Sequence, residues 1–135
     1  MSDVMNRSVL VVEDDPSVGQ ALSDALRSAG YRCEVARSAQ AAFDKLQATQ
    51  AFDVVILDLQ LAEERSEDLV DRLQRANIVV PPLVIVSGRP NAELRVAGRK
   101  THAAAWLKKP FSIESVVAAI DIAINPTKSI DPNPA

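Results

Sequence analysis

Short runs of consecutive apolar residues recur along the chain, and polar or turn-forming residues bound each run. The clearest run covers residues 54–57 and leads directly into Asp58; three of its four side chains are β-branched. A continuous apolar run of this length is typical of a strand that is covered on both faces, as in a parallel sheet. Residues 8–12 and 83–86 repeat the pattern, and residues 31–36 and 103–107 are weaker versions of it. The sequence therefore predicts five strands.

Helical patterns separate these five runs. Asp14 or Asp15 is suited to cap a first helix that begins at Pro16. Apolar side chains then recur at spacings of three and four up to Gly30, which predicts one apolar face for this helix. Ser38 and Ser112 are suited to cap a second helix and a last helix over residues 113–124, an apolar stripe predicts a third helix around residues 69–73, and a weaker pattern covers residues 92–98. Strands that alternate with helices at this spacing are expected to run parallel, with right-handed crossovers. We therefore expect an α/β fold, a three-layer α/β/α sandwich with all strand ends on one edge.

The composition restricts the kinds of function. Apolar residues make up 47% of 135 residues, which is enough to form the core of one domain. We expect an N-terminal extension over residues 1–6, a domain over 7–124 and a loose proline-containing tail over 125–135. The net charge of −3 argues against general binding to nucleic acid. A single cysteine, no signal-peptide pattern and no apolar run long enough to span a bilayer predict a cytoplasmic protein without a membrane partner.

Polar groups follow four of the five predicted strands. Glu13 and Asp14 follow the first strand, Asp58 the third, Ser87 the fourth, and Lys109 comes just after the fifth. Parallel strands bring these ends to one edge, where carboxylates crowded together need a cation, and oxygen ligands suit Mg²⁺. The set predicts phosphoryl transfer to Asp58, with positive charge from the metal ion and Lys109 and a hydroxyl donor from Ser87.

The chain resembles the receiver domain of response regulators in two-component signalling over about residues 7–124. The motifs that carry this resemblance are VLVVEDDPSV, DVVILDLQL, VIVSG and KKPF. The resemblance implies a flavodoxin-like (βα)5 fold with strand order 2-1-3-4-5. Because the 11 tail residues are too few for an output domain, we expect a stand-alone, single-domain regulator. The residues that match the family's site are the metal ligands Glu13, Asp14, Asp58 and the backbone carbonyl of Gln60, the phosphoacceptor Asp58, and the phosphoryl-binding or switch residues Ser87, Lys109 and Trp106.

By the same resemblance, the protein accepts a phosphoryl group from a histidine kinase or a histidine phosphotransfer protein. It is not an enzyme beyond Mg²⁺-dependent self-phosphorylation and slow loss of the phosphoryl group. The fourth helix, fifth strand and fifth helix are the expected face for a downstream target protein. The last helix is apolar over more than half of its circumference, which favours a partner or homodimer surface over ordinary burial.

Four positions depart from the family's usual pattern. Ala62 and Ser66 stand where proline and glycine are common, His102 replaces a common glycine, and Trp106 is larger than the usual switch ring. None of them removes a reactive group, but they make the path from Asp58 to the output face the open question. Trp106 is either a core residue, a side chain that moves between a pocket and the surface, or a permanently exposed contact.

Three alternative interpretations remain at this stage. In the first, the chain is an interaction module with a receiver fold that works without phosphorylation. In the second it is the receiver segment of a hybrid kinase, and in the third it is a hydrolase with an aspartyl nucleophile. The last class usually has a second acid two residues after the nucleophile, and this chain has Gln60 there. We therefore expect that this chain would hydrolyse phosphate esters only slowly.

Overall fold

Strands and helices alternate five times over residues 7–61 and 67–125, the part of the chain that this computed structural model describes. The strands are β1 (Ser8–Val12), β2 (Arg32–Ala36), β3 (Val54–Asp58), β4 (Leu83–Ser87) and β5 (Ala105–Lys108). The helices are α1 (Pro16–Ser28), α2 (Ala39–Ala48), α3 (Glu67–Arg75), α4 (Asn91–Thr101) and α5 (Ile113–Ile124). The order of these elements matches the sequence pattern.

The five strands form one parallel sheet in the order β2-β1-β3-β4-β5, which confirms the predicted strand order. The two strands that lead into the acids, β1 and β3, are neighbours in this order. Their register pairs Val12 with Leu57, so that Glu13 and Asp58 follow side by side at the carboxyl edge.

The side chains of the central strands alternate between two cores, one on each face of the sheet. Leu10, Val55 and Ile85 point toward α2, α3 and α4. Val11, Ile56 and Val84 point toward α1 and α5. Because both faces are covered, β1, β3 and β4 consist almost entirely of buried side chains, and this explains their continuous apolar runs.

Three helices begin at the predicted polar caps. The Asp15 carboxylate accepts hydrogen bonds from the backbone N–H groups of Ser17 and Val18 at 2.8 and 3.3 Å. Ser38 and Ser112 cap α2 and α5 through their hydroxyl oxygens. These bonds satisfy N–H groups that have no partner inside the helix.

The sequence predicted the wrong ends for the fourth helix and the fifth strand, at residues 92–98 and 103–107. The helix extends to Thr101 because Thr101 is buried and its hydroxyl donates to the Ala97 carbonyl at 2.7 Å. It stops at His102, whose φ of 56° is left-handed. The Ala103 N–H still bonds to the Gly98 carbonyl at 2.9 Å, so Ala103 belongs to the end of the helix, and the strand covers Ala105–Lys108.

The last helix uses most of its apolar surplus inside the protein. Val116 and Ile120 are fully buried, and Val117 is half-buried against the same core. Ile122, 37% exposed, is the large apolar side chain that this helix leaves to solvent. The surplus that favoured a partner surface is therefore explained mainly by packing on the sheet.

Some predicted features lie outside the described residues. These are the extension over 1–6, the tail beyond Asn125, and the departures Ala62 and Ser66. Within the described part, no helix combines the length and the apolar character that a bilayer crossing requires.

Candidate functional site

Three carboxylates meet at the carboxyl edge of the sheet. Glu13 and Asp14 follow β1, and Asp58 is the last residue of β3. One oxygen from each of the three lies within 4.8 Å of the others. Glu13 and Asp58 are buried, with 6% and 3% of their surface exposed, whereas Asp14 is half-buried. The sheet register therefore produces the acidic cluster that the sequence predicted.

Burial gives Glu13 an unusual protonation equilibrium. Loss of solvent raises the pKa of its carboxyl to about 7, and the neighbouring Asp58 carboxylate adds to the increase. A hydrogen bond from the Asp15 N–H to Glu13 Oε2 at 3.1 Å acts in the opposite direction, as does the charge of Lys109. Burial therefore favours the neutral form of Glu13, and the ionised form is costly at this position.

Lys109 supplies the cation of this edge. Its Nζ lies 2.8 Å from Asp58 Oδ2 and 3.9 Å from Glu13 Oε1. Its backbone N–H donates to the Ser87 carbonyl at 2.9 Å, which anchors the residue beside the end of β4. Lys108, the preceding lysine, is exposed at the end of β5. The geometry brings Lys109 to Asp58 and leaves Lys108 in solvent.

Ser87 ends β4, one residue beyond Val86, the partner of Asp58 in the sheet. It is fully buried, and its hydroxyl oxygen accepts a hydrogen bond from the Arg89 N–H at 2.9 Å. The hydroxyl therefore belongs to the turn after β4 at the same edge of the sheet.

The loops after β3 and β4 are connected by contacts that the sequence did not predict. The Gln60 N–H donates to Asp58 Oδ1 at 2.8 Å, and the Gln60 side-chain oxygen accepts from the Gly88 N–H at 3.0 Å. The Arg89 guanidinium donates to the Leu59 carbonyl at 2.9 Å. Nothing in the local sequence indicates the Gln60–Gly88 and Arg89–Leu59 pairs, because the residues of each pair are about 30 positions apart and meet only through the sheet.

Trp106 lies on the outer part of the fold, with 44% of its surface exposed. Its ring packs against Gly98 of α4 so closely that a Cβ on Gly98 would lie 2.5 Å from the ring. Trp106 is therefore neither a fully buried core residue nor a detached surface side chain. It lies in a space that the missing side chain of Gly98 provides.

The acidic cluster fits a small divalent cation. Opposite ligands of Mg²⁺, at 2.0–2.1 Å each, are about 4.2 Å apart, close to the spread of the three carboxylate oxygens. Two of the three carboxylates, those of Glu13 and Asp58, are buried, and a bound cation would offset the negative charge that they carry there. Glu13, Asp14 and Asp58 could hold the ion, with water at positions that the protein does not supply.

Comparisons with known proteins show which family this chain is similar to. The chain matches the family described as "Response regulator receiver domain" over residues 9–121. It is 32% identical to the transcriptional regulatory protein ZraR of Escherichia coli over 93% of this chain and 28% of ZraR. It is 34% identical to the probable transcriptional regulatory protein TcrX of Mycobacterium tuberculosis over 82% of this chain and 46% of TcrX. The chain thus spans less than half the length of these two relatives.

Solved structures share the fold over nearly their whole length. The receiver domain of the Francisella response regulator 1452 has a TM-score of 0.78 and 28% identity, covering 90% of this chain and 99% of that one. The chemotaxis protein CheY4 of Vibrio cholerae also has a TM-score of 0.78, with 27% identity, covering 87% of this chain and 98% of that one.

Proposed function

The chain belongs to the response regulator receiver domain family of two-component systems, and we propose that it accepts a phosphoryl group on Asp58 from a phosphohistidine. The donor would be a histidine kinase or a histidine phosphotransfer protein. The observation that carries the proposal is the buried Asp58 carboxylate, held 2.8 Å from Lys109 inside a cluster of acids.

In the proposed reaction, an oxygen of Asp58 attacks the phosphorus of the donor. The new bond joins this oxygen to phosphorus, the phosphorus–nitrogen bond breaks, and its electron pair stays on the donor imidazole. Lys109 offsets the negative charge on the phosphoryl oxygens, and Ser87 offers a hydroxyl donor at the same edge. A bound Mg²⁺ would supply Lewis-acid stabilisation of the transferred group.

Receiver domains bind Mg²⁺ in an acidic pocket, and this chain has the corresponding cluster. We propose Glu13, Asp14, Asp58 and the Gln60 backbone carbonyl as its ligands. Receiver domains act in signalling and are not classed as enzymes. Slow loss of the phosphoryl group from Asp58, without turnover of phosphate esters, is part of the proposal, because Gln60 stands where an aspartyl hydrolase usually carries its second acid.

A phosphodonor assay tests this function directly. We expect the wild-type protein to gain the mass of one phosphoryl group from acetyl phosphate with Mg²⁺, and to gain none after chelation. The matched control Asp58→Asn keeps the shape of the side chain but lacks the nucleophile, so it should remain unmodified. An unmodified wild-type protein would favour the alternative of an interaction module that works without phosphorylation.

We further propose that the signal leaves through α4, β5 and α5, toward a target protein or a second copy of the chain. Trp106 lies on β5 against α4, so it is placed to report on this face. Addition of Mg²⁺ and beryllofluoride, which mimics the phosphoryl group, should change its fluorescence. Oligomeric mass measured in the same samples distinguishes a homodimer from a monomer that waits for a target.

ZraR and TcrX are named as transcriptional regulatory proteins, and the chain matches only a part of each. We propose that this chain acts as a stand-alone receiver. The mass of the protein in cell extracts, measured with an antibody to the chain, tests this, because the receiver segment of a larger protein such as a hybrid kinase would be found at a higher mass.

A further inference from the structure

The Gln60 side chain forms a hydrogen bond with a backbone N–H group at the edge of the site. Its oxygen accepts the Gly88 N–H at 3.0 Å, while its own backbone N–H donates to Asp58 Oδ1 at 2.8 Å. One residue thus contacts both the proposed phosphoacceptor and the loop after β4. Both Gln60 and Gly88 are exposed, so this hydrogen bond lies at the surface, where an incoming group can reach it.

Gly88 lies where a group attached to Asp58 would extend. It is two residues beyond Val86, the sheet partner of Asp58, and therefore beyond the end of β3. A Cβ on Gly88 would be 3.4 Å from Gln60 Oε1 and 4.0 Å from the Lys109 Cβ. The Gly88 N–H is thus bordered by Gln60 and by Lys109, the lysine that pairs with Asp58.

We propose that the Gln60 carboxamide is an internal substitute for a phosphoryl oxygen on the Gly88 N–H, and that phosphorylation of Asp58 displaces it. A phosphoryl oxygen is a stronger acceptor than a neutral amide oxygen, because a hydrogen bond to an ionised group is shorter and stronger. Gln60 is therefore a positioning residue. It keeps the loop after β4 in one arrangement before phosphorylation and releases it afterwards.

This inference rests on the proposed function and adds a competition to it. The unmodified protein must break the Gln60–Gly88 hydrogen bond before the Gly88 N–H is available to a phosphoryl oxygen. Gln60 therefore weakens the binding of a phosphoryl group. An intramolecular hydrogen bond of this kind changes an equilibrium by about two- to tenfold. The same contact would restrain the loop after β4 when Asp58 loses its phosphoryl group.

The unmodified protein provides the first test. In Gln60→Met, which has a similar length but a much weaker acceptor, we expect the Gly88 amide proton to exchange with solvent about two- to tenfold faster than in the wild type. Gln60→Glu keeps an oxygen acceptor and should retain the wild-type protection. Equal exchange in all three proteins would overturn the assignment of Gln60 as the acceptor.

Binding of beryllofluoride with Mg²⁺ provides the second test. Gln60→Met should bind it about two- to tenfold more tightly than the wild type, and the Gly88 amide resonance of the wild type should move toward that of a stronger hydrogen bond on binding. Unchanged affinity in Gln60→Met would refute the competition. Failure of the wild type itself to bind would instead refute the proposed function, so the two failures are distinguishable.

Arg89→Met serves as the matched control. Arg89 also connects the loops after β3 and β4, through the Leu59 carbonyl, but its guanidinium is only a donor and cannot accept a hydrogen bond from the Gly88 N–H. If loosening these loops were enough to strengthen binding, Arg89→Met would show the same increase as Gln60→Met. We expect its affinity to stay within twofold of the wild type, and an equal increase would contradict a specific role for Gln60.

Discussion

The strands β3 and β5 belong to one sheet but differ in nearly every physical property. All five residues of β3 are buried, and the strand is hydrogen-bonded on both sides, to β1 and β4. The strand β5 lies at the edge, pairs with β4 and alternates between half-buried and exposed residues. Asp58 is the last residue of β3, and Trp106 lies on β5.

This difference separates the proposed chemistry from the proposed response. A nucleophile needs fixed geometry, which a central strand with neighbours on both sides provides. An element that changes its position needs few buried contacts, so that the change costs little free energy. We therefore expect the centre of the sheet to carry most of the stability and its β5 edge to carry most of the adjustable packing.

Truncation of one side chain in each strand has the largest expected effect. Ile56 in β3 is 2% exposed, whereas Leu107 in β5 is half-buried against the same core. We expect Ile56→Ala to lower the free energy of unfolding by about 3–5 kcal/mol and Leu107→Ala by about half as much. Urea denaturation measures both values.

Ile56→Val is the milder control, expected to cost about 1 kcal/mol, in case the alanine variant does not fold. Equal losses for Ile56→Ala and Leu107→Ala would contradict the contrast between a rigid centre and a weakly held edge.

The buried acid of the centre predicts a stability that depends on pH. The pKa of Glu13 is about 7 in the folded protein and close to its ordinary value of 4.5 in the unfolded chain. Between these two values the folded state binds more protons, so the free energy of unfolding falls as the pH rises and the full cost is present above pH 7. At pH 8 without a metal ion, we expect Glu13→Gln to be more stable than the wild type by on the order of 1–3 kcal/mol.

Denaturation at a series of pH values, with a chelator present, measures this effect. Glu13→Gln should lack the decrease in stability between pH 4.5 and 7 that we expect of the wild type. Parallel pH profiles for the two proteins would show that the central acids impose no such cost.

At the edge strand β5, the contact between Trp106 and Gly98 gives the third prediction. A Cβ on Gly98 would lie 2.5 Å from one ring carbon and 2.7 Å from another, so the ring must move in Gly98→Ala. Overpacking costs about 1–3 kcal/mol, while replacing glycine inside a helix returns about 1 kcal/mol. We expect a net loss of about 1 kcal/mol and a change in Trp106 fluorescence.

The matched background is Trp106→Leu. In that background the same Gly98→Ala change should stabilise the protein by up to about 1 kcal/mol, because only the helix propensity remains. A loss of stability in both backgrounds would show that Gly98 is constrained by something other than the indole.

Much of the centre of the sheet could be predicted from the sequence. The apolar runs before Glu13 and Asp58 predicted buried parallel strands, and the polar groups after them predicted one shared edge. Asp15, Ser38 and Ser112 were suited to cap helices, and each does so. These features are local, because a strand period or a helix cap involves residues that are close together in the chain.

The edge was harder to predict because its features depend on contacts across the fold. The excess of apolar residues in the last helix favoured a partner surface, and packing on the sheet buries Val116 and Ile120 of that excess. A partner surface on this helix stays a prediction. The end of α4 depends on the buried Thr101 and on the left-handed His102, which no local pattern indicates. Here tertiary packing outweighs the weak local preferences.

The sequence by itself determined the order of strands and helices and the chemical character of the strand ends, because periodicity and residue type act along the chain. Only the tertiary structure decided which of those groups touch. It formed the ion pair between Lys109 and Asp58 and the hydrogen bond between the Gln60 side-chain oxygen and the Gly88 N–H. It also packed Trp106 into the space beside Gly98. The physical reason is that these distances depend on sheet register and close packing, and both join residues that are far apart in the sequence.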